Sequence, residues 1–165
     1  MKILKTSILS SLLLLSATVS AHEYNAGSLT IDHPWSKQVP PSSSVAAAFF
    51  DIENHTNKND ELIAASSPIA KTTELHAHIH QDGMMKMREV PAITIPANGK
   101  ESLKPGGFHI MFFELAEVPK LGETFPLTLT FKHAGEVEVN VKVEKATFTP
   151  NSNKQPAMNS EHAHH

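Results

Sequence analysis

LTLTF at residues 127–131 and VEVNVKV at residues 137–143 decide the fold, because both segments alternate apolar and polar side chains. Alternation with a period of two is typical of a β-strand that buries one face and exposes the other to water. Residues 132–135 lie between the two segments and end in the turn signal Ala134-Gly135. We therefore predict a terminal β-hairpin with one solvated face.

The chain upstream of this hairpin continues the pattern. Short apolar or alternating runs recur at regular spacing, and turn signals such as Asp82-Gly83 separate them. No amphipathic helical pattern of ten or more residues and no internal repeat is visible. The series predicts an all-β sandwich or barrel. Its predicted strands lie at 28–33, 45–52, 62–66, 73–80, 84–90, 92–95, 101–104, 108–115, 126–133 and 136–143.

The composition restricts the chemistry. The 165 residues include 11 histidines and 6 methionines but no cysteine, which excludes disulfides, cysteine-ligated metal centres and a cysteine nucleophile. The length suits one domain. The formal net charge is −3 and basic residues form no cluster, so we expect no nucleic-acid binding. Imidazole, thioether and carboxylate remain as metal ligands.

The first 21 residues have the pattern of a secretory signal peptide. Lys2 and Lys5 precede an apolar run at 8–15, and small residues at 19–21 form a cleavage site. We expect export to a bacterial periplasm. No second hydrophobic segment follows, so we expect no membrane span in the mature protein.

The other end of the chain has a different composition. Residues 149–165 are polar and lack apolar periodicity, so we expect a disordered tail after a domain at 22–148. The tail has two interpretations: it is a solvated end without a function, or it binds Cu(II). The second is suggested by its histidines, because Cu(II) prefers nitrogen and oxygen donors. Its candidate ligands are Met158, His162, His164 and His165.

Histidine and methionine concentrate in three folded segments. Residues 74–80 read ELHAHIH and residues 84–87 read MMKM, and the short connection at 81–83 predicts a hairpin with histidines opposite methionines. Residues 108–112, FHIMF, follow a Gly-rich turn that would return the strand towards this hairpin. Within each segment, alternate residues share a face: His76, His78 and His80 in the first, Met85 and Met87 in the second, and His109 and Met111 in the third.

Two histidines and two methionines form a neutral, sulfur-rich ligand set. A thioether is a soft donor that suits Cu(I) and adds little for Zn(II), Mg(II) or Ca(II). Other histidines and methionines have simpler interpretations. Met84 is predicted to fill the core, whereas His33, His55 and His133 are predicted to be surface or hydrogen-bonded residues.

The spacing of His76, Met87, His109 and Met111 resembles the H-x10-M-x21-H-x-M motif of PCu(A)C-type periplasmic copper chaperones. The sequence LKPGGFHIM at 103–111 also resembles that family, and the similarity extends over residues 26–145. The resemblance implies a cupredoxin-like Greek-key β-sandwich. It further implies that these four residues bind one Cu(I).

The family resemblance also implies a partner. The ion would be delivered to a cuproprotein such as the CuA subunit of cytochrome c oxidase, or to another copper chaperone. At a position where many relatives carry Met, this chain has His78, with His80 beyond it. These imidazoles, together with Met85, are additional candidate ligands.

Three other functions fit the sequence. General periplasmic storage of copper, or resistance to it, would use the same ligands. A copper enzyme would chelate the ion through His22, if cleavage makes it the N-terminus. A structural or adhesive β-sandwich would bind no stoichiometric Cu(I). Nothing in the sequence indicates acid–base or nucleophilic catalysis, so we expect a binding protein and not an enzyme.

Overall fold

Eleven β-strands and no helix make up residues 23–150, the part of the chain that the computed structural model describes. The signal-peptide prediction, His22 and the tail candidates Met158, His162, His164 and His165 lie outside these residues. The strands are β1 Glu23–Ala26, β2 Leu29–Lys37, β3 Val45–Asn54, β4 Asp60–Ser66, β5 Ala70–Gln81, β6 Met84–Glu89, β7 Ile93–Ile95, β8 Lys100–Leu103, β9 His109–Leu115, β10 Thr124–Phe131 and β11 Gly135–Glu144.

All ten predicted strands are present, with ends that shift by up to a few residues. The terminal hairpin is confirmed, because β10 pairs with β11 in antiparallel register from Thr124↔Lys142 to Phe131↔Gly135. Its inward side chains include Leu129 and Val139, which have no solvent exposure. Strand β1 was not predicted.

The strands are hydrogen-bonded in the order β6-β5-β9-β3-β2-β11-β10-β4-β7, while β1 joins β2 and β8 joins β3. Neighbours such as β9 and β3, or β2 and β11, are far apart in sequence, as Greek-key connections require. The expectation of an all-β fold with Greek-key connections is confirmed. Within residues 23–150, no segment forms a helix long and apolar enough to cross a bilayer.

Strand β2 changes partners at a local break. His33 adopts a φ of 51°, and the register with β3 shifts between Asp32 and Trp35. Before the break β2 pairs with β1, and after it Trp35 pairs with Lys142 of β11 in parallel. The break also places Trp35 directly opposite Phe49 of β3.

The interior is one hydrophobic cluster built from alternate residues of the strands. Ile110 and Phe112 of β9 and Leu75 of β5 belong to it. Their neighbours along each strand point to the opposite face, because successive strand side chains alternate. That second face of the β6-β5-β9 sheet, which we call the outer face, holds the candidate site.

Candidate metal centre

The β5–β6 hairpin sets histidines opposite methionines, as predicted. His78 is the cross-strand partner of Met87, and His80 is the partner of Met85. The connecting turn has positive φ at Asp82 (53°) and at Gly83 (75°), a conformation that Asp and Gly adopt more readily than most residues. Directly opposite residues project to the same side of the sheet, so each pair is adjacent.

Strand β9 adds the remaining two predicted ligands on the other side of β5. His109 is the register partner of His76, and Met111 is the partner of Glu74. His76, Met87, His109 and Met111 therefore all lie on the outer face, away from the hydrophobic core. The pairing of β9 with β5 shows that the Gly-rich turn returns the third segment to the hairpin, as predicted.

The histidines form a compact group. The ring centroids of His76 and His109 are 5.8 Å apart, and those of His78 and His109 are 5.2 Å apart. His76 is 8% exposed and His109 is 2% exposed, whereas His78 is half-buried. Two of the predicted ligands are thus buried side by side, with a third imidazole at their edge.

Glu74 fixes the orientation of His76. Nε2 of His76 lies 2.7 Å from the Glu74 carboxylate oxygen Oε2, so in the neutral ring Nε2 carries the proton and donates it. Nδ1 then holds a lone pair, and this atom is buried without any hydrogen-bond partner. Buried polar atoms are normally paired, and an unpaired imidazole nitrogen is the donor that a metal ion uses.

A backbone carbonyl orients His109. Its Nδ1 donates to Gly107 O at 3.1 Å, which leaves the Nε2 lone pair available for a metal ion. Gly106, with a φ of 82°, forms the turn that presents this carbonyl. His78 Nδ1 lies 3.4 Å from the same oxygen, which makes a long hydrogen bond.

Burial lowers the pKa of His109 below its usual 6.5. The hydrogen bond to Gly107 opposes this shift, and the neighbouring His78 and His76 reinforce it. A lowered pKa keeps the ring neutral in mildly acidic solution. Neutral imidazole is the form that binds metal.

The two predicted methionine ligands are not equally buried. Met87 is 46% exposed on the edge strand β6, whereas Met111 is half-buried. They lie on opposite sides of the His76–His109 pair, two strands and four residues apart. On a flat sheet their Cα atoms would be roughly 16 Å apart. Both sulfurs can therefore reach one ion only if the strands coil and the long Met87 side chain moves inward.

Met84 does not fill the core, and that prediction is wrong. Its side chain is 58% exposed, because β6 is an edge strand and neither of its faces packs on the interior. His55 donates to or accepts from Thr30 Oγ1 at 2.9 Å, and His133 is exposed, as predicted. His33 is half-buried and lies 5.7 Å from the ring of Phe148.

An aromatic cluster lies beside the histidines on the outer face and was not predicted. The Trp35 ring lies 4.8 Å from that of Phe49, which lies 6.3 Å from the His109 ring. Phe148 packs edge-on against Trp35 at 4.9 Å, and Phe113 lies 5.6 Å from His76. We call Trp35, Phe49, Phe113 and Phe148 the outer aromatic cluster. Phe49 and Phe113 therefore border the two buried imidazoles.

Sequence reasoning also missed Glu74 as a site residue. A signal was present, because Glu74 precedes His76 by two residues and such residues share a face of a strand. Among residues 23–150, no three His, Asp or Glu side chains form a metal-binding group.

The fold and the register define the class: this is a cupredoxin-like β-sandwich of the PCu(A)C type. The chain belongs to the LpqE-like family, a family of candidate lipoproteins whose model matches residues 29–143. A relative in Leifsonia xyli, Lxx21020, whose name marks it as a candidate lipoprotein, is 28% identical over 131 residues. That match covers 79% of this chain and 78% of the relative.

Two solved structures support the assignment to this class. The copper-bound PCuAC domain from PmoF2 is 26% identical, with a TM-score of 0.65, and the match covers 75% of this chain and 98% of that domain. The Cu(I) form of DR1885 from Deinococcus radiodurans is 32% identical, with a TM-score of 0.58. It covers 70% of this chain and 77% of DR1885.

Proposed function

We propose that this protein is a copper chaperone that binds one Cu(I) through His76, Met87, His109 and Met111. The observation that carries the proposal is the unpartnered, buried Nδ1 of His76 beside the ring of His109. A buried acceptor without a partner costs about 1–3 kcal/mol. A bound ion would remove this cost, since the nitrogen lone pair would then have a partner.

The ligand set favours the monovalent ion. Thioethers are soft and neutral, and they carry no proton to compete with the metal. Two histidines and two methionines would leave the site with the single positive charge of Cu(I). Copper bound to two of the similar domains or proteins, the PmoF2 domain and DR1885, supports copper as the cargo.

The exposure of Met87 supports delivery and not permanent storage. A ligand on an edge strand, in contact with solvent, can be displaced by a ligand from a recipient without unfolding the core. His76 and His109 would retain the ion until that exchange is complete. The role is binding and transfer by ligand exchange, with no catalysis by the protein.

The recipient and the compartment are proposed from the sequence resemblance. We propose delivery to a cuproprotein, with the CuA centre of cytochrome c oxidase as the first candidate and another copper chaperone as the second. In this proposal residues 1–21 act as the signal peptide that directs residues 22–165 to the periplasm. The lipoprotein names of the family and of Lxx21020 support an exported protein.

Titration of residues 22–165 with Cu(I) and Cu(II) tests the proposal. Met87→Leu and Met111→Leu keep the side-chain volume but remove the sulfur. We expect both changes to weaken Cu(I) binding far more than Cu(II) binding, while Met84→Leu, on the other face of β6, leaves both unchanged. Equal effects on both ions, or no effect, would contradict the proposed site.

The tail is proposed to bind Cu(II) separately through Met158, His162, His164 and His165. Truncation after Thr149 tests this. The truncated protein should lose one Cu(II) binding event and keep its affinity for Cu(I). An unchanged Cu(II) stoichiometry would show that the tail does not bind the ion.

A further inference from the structure

A second pair of nitrogen and sulfur donors lies at the tip of the β5–β6 hairpin. His80 Nδ1 is 2.8 Å from Met85 Sδ, and the two residues are direct cross-strand partners. Both side chains are exposed, and Met85 is 52% exposed. The pair is therefore already assembled at the surface, several residues beyond the buried histidines.

This pair continues the outer face of the candidate metal centre. His76, His78 and His80 alternate along β5, so consecutive histidines are about 6.6 Å apart. Met87 accompanies His78 and Met85 accompanies His80 on β6. Exposure increases in the same direction, from buried His76 through half-buried His78 to exposed His80. The donors thus form a continuous row from solvent to the buried site.

The surface of the hairpin is unusually rich in apolar side chains. Within residues 23–150, six large hydrophobic side chains are exposed, and four of them belong to this hairpin: Ile79, Met84, Met85 and Met87. Three of the four are thioethers. Such a concentration is unlike the isolated exposed side chains of an ordinary protein surface.

We propose that His80 and Met85 form a second Cu(I) site, through which the ion enters and leaves the buried site by way of His78 and Met87. This inference rests on the proposed function. The tip site is weaker than the buried site, because it offers two exposed donors where the buried site offers four. It serves as the point of exchange with a donor or recipient protein.

The chemistry of this step requires no oxidant or reductant. The hydrogen bond from His80 Nδ1 to the Met85 sulfur breaks, the proton moves to Nε2 through solvent, and Nδ1 and Sδ each form a bond to Cu(I). Zinc sites have metal–nitrogen bonds of about 2.0 Å and metal–sulfur bonds of about 2.3 Å, which place tetrahedral donors roughly 3.5 Å apart, and we use this spacing for a four-coordinate Cu(I) whose other two positions the donor or recipient fills. The two exposed side chains need to separate by less than ~1 Å from their present positions. The ion remains Cu(I) throughout.

Stopped-flow loading and unloading with a chromogenic Cu(I) chelator tests the inference. The variants are His80→Gln and Met85→Leu, and the matched control is Met84→Leu, which alters an equally exposed thioether at the opposite face. We expect the variants to lose a weak second Cu(I) equivalent and to load the first at least tenfold more slowly. The affinity for the first equivalent should change less than twofold.

The experiment distinguishes failure of the tip site from failure of the proposed chaperone function. Unchanged loading rates in both variants, with tight binding of one Cu(I) retained, would overturn the tip site and leave the proposed chaperone function standing. A tenfold loss of affinity for the first equivalent would also overturn it, because His80 and Met85 would then belong to the buried site. A wild-type protein that binds no Cu(I) would overturn both proposals.

Discussion

Glu74 Oε2 and His76 Nε2 are 2.7 Å apart, and the two residues are on the same strand and the same face. The hydrogen bond decides which nitrogen of His76 faces an incoming ion, because the protonated Nε2 is occupied by the carboxylate. Partners of this kind commonly orient metal-binding histidines and increase their basicity. Glu74 is therefore a positioning residue of the candidate site.

Replacing this carboxylate should weaken copper binding without unfolding the protein. We expect Glu74→Ala to lower the Cu(I) affinity by about 10- to 100-fold, the usual cost of losing such a partner. Glu74→Gln should lose less, because its amide oxygen still accepts a hydrogen bond. Competition with a chromogenic chelator measures the affinities.

Glu114→Gln is the matched control for Glu74. Glu114 lies on β9 and forms an exposed ion pair with Lys71 at 3.1 Å, with no hydrogen bond to either buried imidazole among those found in residues 23–150. Exposed ion pairs contribute little, so this change should leave Cu(I) affinity unaltered. Equal affinities for Glu74→Ala and Glu114→Gln would show that Glu74 does not position His76.

The lowered pKa of His109 predicts a specific acid sensitivity of the metal-free protein. Its pKa in the folded protein lies below the value of about 6.5 expected in the unfolded chain. The unfolded chain therefore takes up a proton first as the pH falls. Stability decreases from about pH 6.5 downward, until the pH passes below the folded-state pKa.

Urea denaturation across this pH range, on wild type and His109→Gln, measures the effect. The free energy of unfolding of the wild type should fall more steeply between about pH 7 and pH 5 than that of the variant, which has no titratable group at this position. Parallel curves would show that protonation of His109 does not contribute. Any loss of stability that the substitution causes equally at every pH does not change the slope, so the comparison of slopes is unaffected by it.

Trp35 should report occupancy of the buried site. It is the single tryptophan of the chain, and only the Phe49 ring separates it from His109. We expect the first Cu(I) equivalent to change its fluorescence, and a second equivalent at His80 and Met85 to change it little. If the emission changes only with the second equivalent, the first ion is not at His109.

Asp60 should stabilise the fold without affecting copper. Its buried carboxylate accepts hydrogen bonds from the backbone N–H groups of Glu61, His133 and Ala134 at 2.7, 3.0 and 2.9 Å. Asp60→Ala leaves these donors without that partner, so we expect a loss of about 1–3 kcal/mol in the free energy of unfolding. Thermal unfolding measures this, with the exposed Glu138→Gln on β11 as control. Unchanged stability would contradict this role.

Alternation along the sequence was sufficient to predict the strands and, within each strand, which candidate ligands share a face. LTLTF at 127–131 forms part of β10, and ELHAHIH at 74–80 forms part of β5. A period of two determines which side chains of a strand are buried and which are exposed. Strand β1, with the sequence EYNA, has no such pattern. It is held by pairing with β2, which the local sequence does not reveal.

The features that were missed depend on neighbours distant in sequence. Met84 was predicted to be buried because it faces away from Met85 and Met87, but a strand at the edge of a sheet need not have an inner face. Trp35 reaches the site through its pairing with Phe49 and through the break in β2 at His33. Neither relationship follows from spacing along the chain.

The solvent contact of Met85 and Met87 also limits how long the protein stays chemically intact. A thioether that an ion can reach is equally open to peroxide, and oxidation to the sulfoxide replaces the soft sulfur donor with a polar, hard oxygen. Met111, half-buried on the same outer face, is less accessible to the same reaction. Ageing in an oxidising compartment would therefore remove the exposed sulfur donors proposed to acquire copper before it damaged the buried imidazoles proposed to retain it. Repair of methionine sulfoxide would restore the protein without new synthesis.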